Sequence, residues 1–308
     1  MCDQASRIGT RMIPVQEVWL EQDEKPLPVM AAQALNGDDA EPAISFKGTW
    51  YDWGWMREVA DRLEAVLHKA GIGPGDAIGF APRNRPECGA ALLGLIAGGH
   101  DIVMIYSYQS AEAIGRKISD LRCAAIVGPA DIWGDPSRDA AIATGALAIA
   151  LDGAAVTVVD GTALDRSAGH RAAEDNPGIA LLTSGTTGAP KHFHMSYPVV
   201  RRALIRETGM PDLASKVSGI PPGETMSLQS LPFGNIGGLY AYLPHALARH
   251  QMTMLEKFTL DGWLAYIRAW RPKSGGLPPA AVRMVLDANV PAEDLASIRF
   301  ISSGAATL

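Results

Sequence analysis

Apolar and polar positions along this chain alternate between two periods. Short apolar runs at 43–46 and 48–51 predict a small two-stranded hairpin. Residues 56–70 then place Val59, Leu63, Val66, Leu67 and Ala70 at helical spacing, with Arg57, Glu58, Asp61, Arg62 and Glu64 between them. Gly71 supplies the stop of that helix, and Ile72 can fold back on its last turn. A turn at Gly73-Pro-Gly-Asp76 precedes a short apolar strand at 77–81. Pro86 suits the first turn of a helix reaching about residue 98. A strand at 101–106 follows, then a helix at 111–121 that Ser110 can cap, then a strand at 124–127.

The alternation continues. Further strands are predicted at 146–151, 156–159, 179–183, 226–230, 252–255, 274–276 and 298–302, and further helices at 196–208, 238–249, 260–270 and 279–288. Strands that alternate with helices at this pace predict an α/β fold with mostly parallel sheet. There are too many strands for one doubly wound sheet, so two sheets sandwiched with helices are expected. Residues 1–40 are polar, with Pro26, Pro28 and the turn cluster Asn36-Gly-Asp-Asp39, and read as an N-terminal extension with room for one short helix; 41–308 reads as the domain.

The sharpest local feature is Ile179-Ala-Leu-Leu-Thr-Ser-Gly-Thr-Thr-Gly-Ala-Pro-Lys191, in which an apolar strand runs straight into small and hydroxyl residues. Gly185 and Gly188 let the backbone curl so that successive N–H groups point inward and form an anion nest. Ser184, Thr186 and Thr187 add hydroxyl donors, and Lys191 adds a mobile positive charge, a chemistry suited to a polyphosphate. The segment is not the Walker pattern, since Pro190 stands where that pattern needs glycine and His192 follows the lysine. Nor is it G-x-G-x-x-G, which disfavours a dinucleotide oxidoreductase.

Ser-Gly-Thr-Thr-Gly-x-Pro-Lys resembles the phosphate-binding signature of the adenylate-forming superfamily, which includes acyl- and aryl-CoA synthetases and the adenylation domains of peptide synthetases. The resemblance extends over about 43–308. Thr49-Trp-Tyr-Asp52, Gly73-Pro-Gly-Asp76, Pro82-Arg-Asn-Arg-Pro-Glu87, Leu231-Pro-Phe-Gly-Asn-Ile-Gly-Gly-Leu239, Arg271-Pro272 with Gly276-Leu-Pro-Pro279, and Ser302-Ser-Gly-Ala-Ala-Thr-Leu308 match further family segments in order. The resemblance implies the fold of that family's large N-terminal domain. It also implies an ATP-dependent acyl- or aryl-CoA ligase reaction: a carboxylic acid and ATP give acyl-AMP and pyrophosphate, and the thiol of CoA then displaces AMP. ATP, Mg²⁺ and CoA are the implied cofactors and substrates.

By the same resemblance, Thr183, Ser184, Gly185, Thr186, Thr187, Gly188 and Lys191 hold the phosphates. Ser303, Gly304, Ala305 and Ala306 lie against the adenine, and Asn235 and Gly238 line the acyl pocket. Many CoA ligases carry histidine at the Asn235 position; Asn can hydrogen-bond a carboxylate but carries no charge. His192 and His194 point the same way on an extended segment, but without further ligands they do not make a metal site. The family's aromatic-Gly-x-Thr-Glu segment, its ribose-binding Asp and the catalytic Lys of its mobile C-terminal domain have no counterpart in these residues. The expectation is therefore an incomplete N-terminal part with little adenylation activity alone. A ligase that loads a carrier-protein pantetheine and a non-catalytic nucleotide-binding fragment are the alternatives.

Composition narrows the classes further. Of the 308 residues 47% are apolar and 19% charged, which argues for a full core and against disorder. A net charge of −6 gives no basic excess with which to neutralise nucleic-acid phosphates. Cys2, Cys88 and Cys123 form neither a disulfide framework nor a zinc pattern and read as reduced thiols. No signal peptide and no membrane-length apolar run is visible, so the expectation is a soluble cytoplasmic protein.

Overall fold

The computed structural model describes residues 25–183, 191–208, 226–272 and 274–303. In chain order the elements are α1 (Leu27–Leu35), β1 (Pro42–Phe46), β2 (Thr49–Asp52), α2 (Trp53–Lys69), β3 (Ala77–Phe80), α3 (Pro86–Ala97), β4 (Asp101–Met104), α4 (Ala111–Leu121), β5 (Ala125–Pro129), α5 (Asp135–Thr144), β6 (Leu147–Asp152) and β7 (Ala155–Val158). They continue with β8 (Gly178–Thr183), β9 (Lys191–Ser196), α6 (Tyr197–Thr208), β10 (Ser227–Gln229), α7 (Ile236–Leu247), β11 (Met252–Met254), α8 (Leu260–Trp270), β12 (Ser274–Gly276), α9 (Pro279–Asp287), α10 (Ala292–Leu295) and β13 (Phe300–Ser302).

The local signals act as the sequence implies. The Asp52 carboxylate accepts the Trp55 N–H at 2.8 Å and starts α2. At the other end Gly71 takes φ +72°, and the Ile72 N–H reaches back to the Leu67 carbonyl at 2.9 Å, burying the Ile72 side chain. The Ser110 hydroxyl accepts the Ala113 N–H at 3.3 Å and caps α4.

Seven strands form one sheet in the order β7-β6-β5-β3-β4-β8-β9. The central strands run parallel, and the edge strands β7 and β9 each pair antiparallel with a neighbour. A four-stranded sheet, β10-β11-β1-β2, is parallel except for the β1–β2 hairpin, and β12 and β13 form a separate parallel pair. The fold is thus mixed α/β with two larger sheets, mostly parallel, sandwiched with helices. One core joins α1, α2, α3 and α7 to residues of both larger sheets, among them Phe80, Met104, Ile179, Ile44 and Met252. A second core lies on the opposite face of the seven-stranded sheet, under α4 and α5. A third gathers Trp263, Tyr266 and Ile267 of α8 with Ala281 and Val285 of α9.

α1 is the short helix allowed for in the 1–40 stretch, and its Leu27, Ala31, Ala34 and Leu35 are buried in the central core. Other elements, among them α5, β9 and α10, were not predicted. α5 has no predicted counterpart because its buried residues are Ser137, Ala141 and Thr144, small or polar groups that make no apolar stripe. β9 has none although Phe193 and Met195 alternate with polar neighbours over 192–196; the stretch is short, and its Phe193 is 55% exposed at the sheet edge.

The turn after α7 predicts an acid response. The Nδ1 atoms of His245 and His250 face each other at 3.1 Å, so the pair holds one proton between them. Burial, and after it the neighbouring His250, pushes the His245 imidazole down from 6.5 to about 4, and burial also lowers His250. A depressed histidine gives stability that is full above the unfolded value of 6.5 and is lost as pH falls toward the folded one. Urea unfolding should lose about 2 kcal/mol between pH 7 and pH 5, above the range where carboxylates titrate, and His245→Asn should flatten that slope. An equally steep slope in the variant contradicts the assignment.

Candidate functional site

β3, β4 and β8 lie side by side and parallel, so their carboxyl ends open on one edge of the sheet. Ligands of open α/β sheets sit outside such ends, where successive connections leave in different directions. β3 leads into 81–85, β4 into 105–110, and β8 into the glycine and hydroxyl run.

The first two segments are locked together. The Ile105 N–H donates to the Phe80 carbonyl at 2.7 Å, and the Ser107 hydroxyl donates to the Pro82 carbonyl. Asn84, fully buried, ties both to the rest of the edge. Its Nδ2 donates to the carbonyls of Leu231 at 3.1 Å and Leu255 at 3.2 Å, and its Oδ1 accepts the Phe233 N–H at 3.2 Å. Its backbone N–H donates to the Tyr108 hydroxyl oxygen at 3.0 Å, and that hydroxyl donates to the Glu256 carbonyl at 2.5 Å. One amide therefore fixes the 231–235 turn and the end of β11 against the seven-stranded sheet. Every polar atom of the side chain at this buried point has a partner, which makes the arrangement specific.

Charge surrounds this hub. The Arg85 guanidinium bridges Asp131 at 2.8 Å and Glu256 at 2.7 Å, and Lys47 reaches Glu256 at 3.1 Å. Burial works against both charges, but their mutual hydrogen bonds outweigh it, so Arg85 is held above its ordinary value and Glu256 below.

The 231–235 turn lies against the end of β4. The position of a Cβ on Gly234 would be 3.6 Å from the Tyr106 Cα and 3.7 Å from the Ile105 carbonyl oxygen. Asn235 then heads α7: its N–H donates to the Pro232 carbonyl at 3.0 Å, its carbonyl accepts the Leu239 N–H at 3.1 Å, and its exposed side chain makes no capping bond. Gly238, one turn on, is buried, and an added Cβ would collide with the Pro232 carbonyl. Glycine there is explained by the close approach of α7 to the turn.

β8 and β9 form the hairpin that carries the phosphate candidates. Their register runs from Gly178 opposite Ser196 to Thr183 opposite Lys191, so the two residues that bracket the loop stand side by side. Ser184, Gly185, Thr186, Thr187 and Gly188 lie outside the described residues, as do Gly304, Ala305 and Ala306. Ser303 follows β13 and is exposed. Among the described residues no group of three His, Cys, Asp or Glu side chains is placed to hold an ion.

A family model described as "AMP-binding enzyme" matches residues 31–308. The chain belongs to the AMP-binding enzyme family. Its members are adenylate-forming enzymes that include AMP-forming acid–thiol ligases. This AMP-binding chain is 26% identical to 4-coumarate–CoA ligase 3 of Oryza sativa subsp. japonica, over 85% of its own length and 47% of the relative's. It is 24% identical to the fatty acid–[acyl-carrier-protein] ligase ScoC of Streptomyces coeruleorubidus, over 84% of the chain and 49% of the relative. The chain thus spans about half the length of these two curated relatives. Among solved structures, ATP-bound MatB from Rhodopseudomonas palustris superposes with a TM-score of 0.68 at 20% identity, covering 91% of this chain and 55% of that one. The N-terminal domain of FACL13 from Mycobacterium tuberculosis superposes at 0.67 and 20% identity, covering 92% and 71%. At that identity the likeness is one of fold. No helix among the described residues is long and apolar enough to cross a membrane.

Sequence reasoning singled out Thr183, Lys191 and Asn235 as candidates and gave no role to Asn84 or Tyr108. The Pro82-Arg-Asn-Arg-Pro-Glu87 motif was the available signal for Asn84.

Proposed function

We propose that this chain binds the nucleotide and the carboxylic acid of an ATP-dependent acyl- or aryl-CoA ligase. The carboxylate oxygen attacks the α-phosphorus, the bond to the bridging oxygen breaks, and pyrophosphate leaves with its electron pair. A thiol then attacks the acyl carbon and AMP leaves. The observation that carries this reading is the β8–β9 hairpin, which opens at the carboxyl edge with Thr183 opposite Lys191.

On this reading the backbone amides and hydroxyls of 183–188 and the Lys191 ammonium hold the β- and γ-phosphates and stabilise the leaving pyrophosphate. Ser303, Gly304, Ala305 and Ala306 lie along the adenine. Asn235, exposed at the head of α7 and backed by Gly238, faces the acyl group and offers it a neutral donor. The Mg²⁺ that the family resemblance implies would arrive on the polyphosphate and keep most of its waters. When bound, it neutralises charge on the phosphate oxygens.

A panel of non-hydrolysable acyl-sulfamoyl adenosines tests the reading without requiring turnover. The matching acyl class should bind at least about 100-fold more tightly than AMP, as an intermediate mimic does. If no acyl group improves on AMP, the ligase reading fails and the non-catalytic nucleotide-binding reading takes its place. The ScoC relative favours a second reading in which the acceptor is a carrier-protein pantetheine. Supplying CoA or a pantetheinylated carrier to the acyl-AMP complex separates the two by which thioester forms.

A further inference from the structure

β9 is an edge strand whose apolar side is only partly buried. Met195 points inward and is buried, Phe193 on the same side of the alternation is 55% exposed, and the other side carries His192, His194 and Ser196. Register in a strand is set by a buried apolar face, and this strand has little of one. A slip of two residues against β8 would keep every side chain on its face while moving Lys191 by about 7 Å relative to Thr183.

A buried charge opposes such a slip. Asp101, the first residue of β4, is fully buried. Its Oδ1 accepts the Gly178 N–H at 3.1 Å and the His194 Nε2 at 2.9 Å, and its Oδ2 accepts the Glu174 N–H at 3.3 Å. Gly178 begins β8 and His194 sits in the middle of β9, so one carboxylate holds both strands of the hairpin from the neighbouring strand β4. The Tyr197 hydroxyl donates to the His100 carbonyl, fixing the far end of β9 to the same corner. At Gly178 an added Cβ would collide with the Met195 carbonyl, so the two strands meet there at backbone contact. Burying a carboxylate costs several kcal/mol unless its oxygens are satisfied. Only the register seen here brings the His194 donor to that carboxylate.

We propose that Asp101 and His194 are positioning residues that pin the register of β9 and thereby keep Lys191 paired opposite Thr183, next to the candidate phosphate run. The role in nucleotide binding rests on the function proposed above; the pin itself does not.

Three forms of the full 308-residue chain test this: wild type, His194→Leu and His194→Gln. His194 is partly exposed on an edge strand, so both variants are expected to fold, and Gln retains an N–H donor able to reach the Asp101 carboxylate. Amide hydrogen exchange of 191–196 should quicken about tenfold in His194→Leu and stay near wild type in His194→Gln. MgATP affinity should fall about tenfold in the leucine variant, remain within about twofold in the glutamine variant, and AMP affinity should hold in both. Unchanged exchange in His194→Leu, or equal loss in both variants, overturns the pin. Quickened exchange with unchanged MgATP affinity overturns its link to Lys191. If wild type binds no MgATP, the nucleotide reading falls while the exchange result still decides the pin.

Discussion

Asn84→Ala is expected to lower folding stability by about 3–5 kcal/mol, the largest loss from any single polar side chain at the carboxyl edge. The side chain makes three hydrogen bonds at a site with no solvent exposure. Its removal leaves the Leu255 carbonyl and the Phe233 N–H without their partner, while the Leu231 carbonyl keeps the Gln229 Nε2 donor at 2.6 Å, and each unsatisfied buried group costs about 1–3 kcal/mol. Asn84→Asp should be as damaging. Its carboxylate still accepts from Phe233, but it has no N–H for the two carbonyls and brings a charge into the core. The loss has a functional consequence, because Asn84 holds the 231–235 turn in place and with it the head of α7. Urea unfolding of wild type and both variants measures the effect. A loss below about 1 kcal/mol in Asn84→Ala would mean that water replaces the amide and that the turn is held elsewhere.

Why this hub escapes a sequence reading is plain from its partners. They lie 147 and 171 residues away along the chain, and a backbone carbonyl leaves no mark in the residue it belongs to. Features that act within one or two turns were legible: the Gly71 stop with Ile72 folded over it, the Ser110 cap, and the strands that bury continuous apolar runs, such as 101–104 and 125–129. α5 and β9 were not, because one buries small groups and the other sits at an edge where its largest apolar residue faces solvent. The same division holds for the candidate site. The candidate phosphate run is contiguous and stands out in the sequence; the pairing of Thr183 with Lys191 across the hairpin is seen only in the fold. Gly238 shows the converse: a glycine expected in an acyl pocket has its place explained by a backbone contact with Pro232 that only the fold reveals. Asp101 in a strand of otherwise apolar residues was an unread signal, since a lone acid there requires partners.

Lys191→Ala carries the second large effect. The residue begins β9 opposite Thr183, so its backbone is held by strand pairing next to the loop. A charge-assisted contact to phosphate is stronger than a neutral hydrogen bond, and its loss should weaken MgATP binding about 10–100-fold. AMP lacks the β- and γ-phosphates, so its affinity should stay within about twofold of wild type. That contrast separates a contact to the terminal phosphates from general damage to the site, which would weaken both nucleotides alike. Calorimetric titration of wild type and Lys191→Ala with MgATP and with AMP is therefore the most direct test of the account. It predicts a loss confined to MgATP. Equal losses for the two nucleotides, or no loss for either, would contradict the assignment of the 183–191 hairpin to the terminal phosphates.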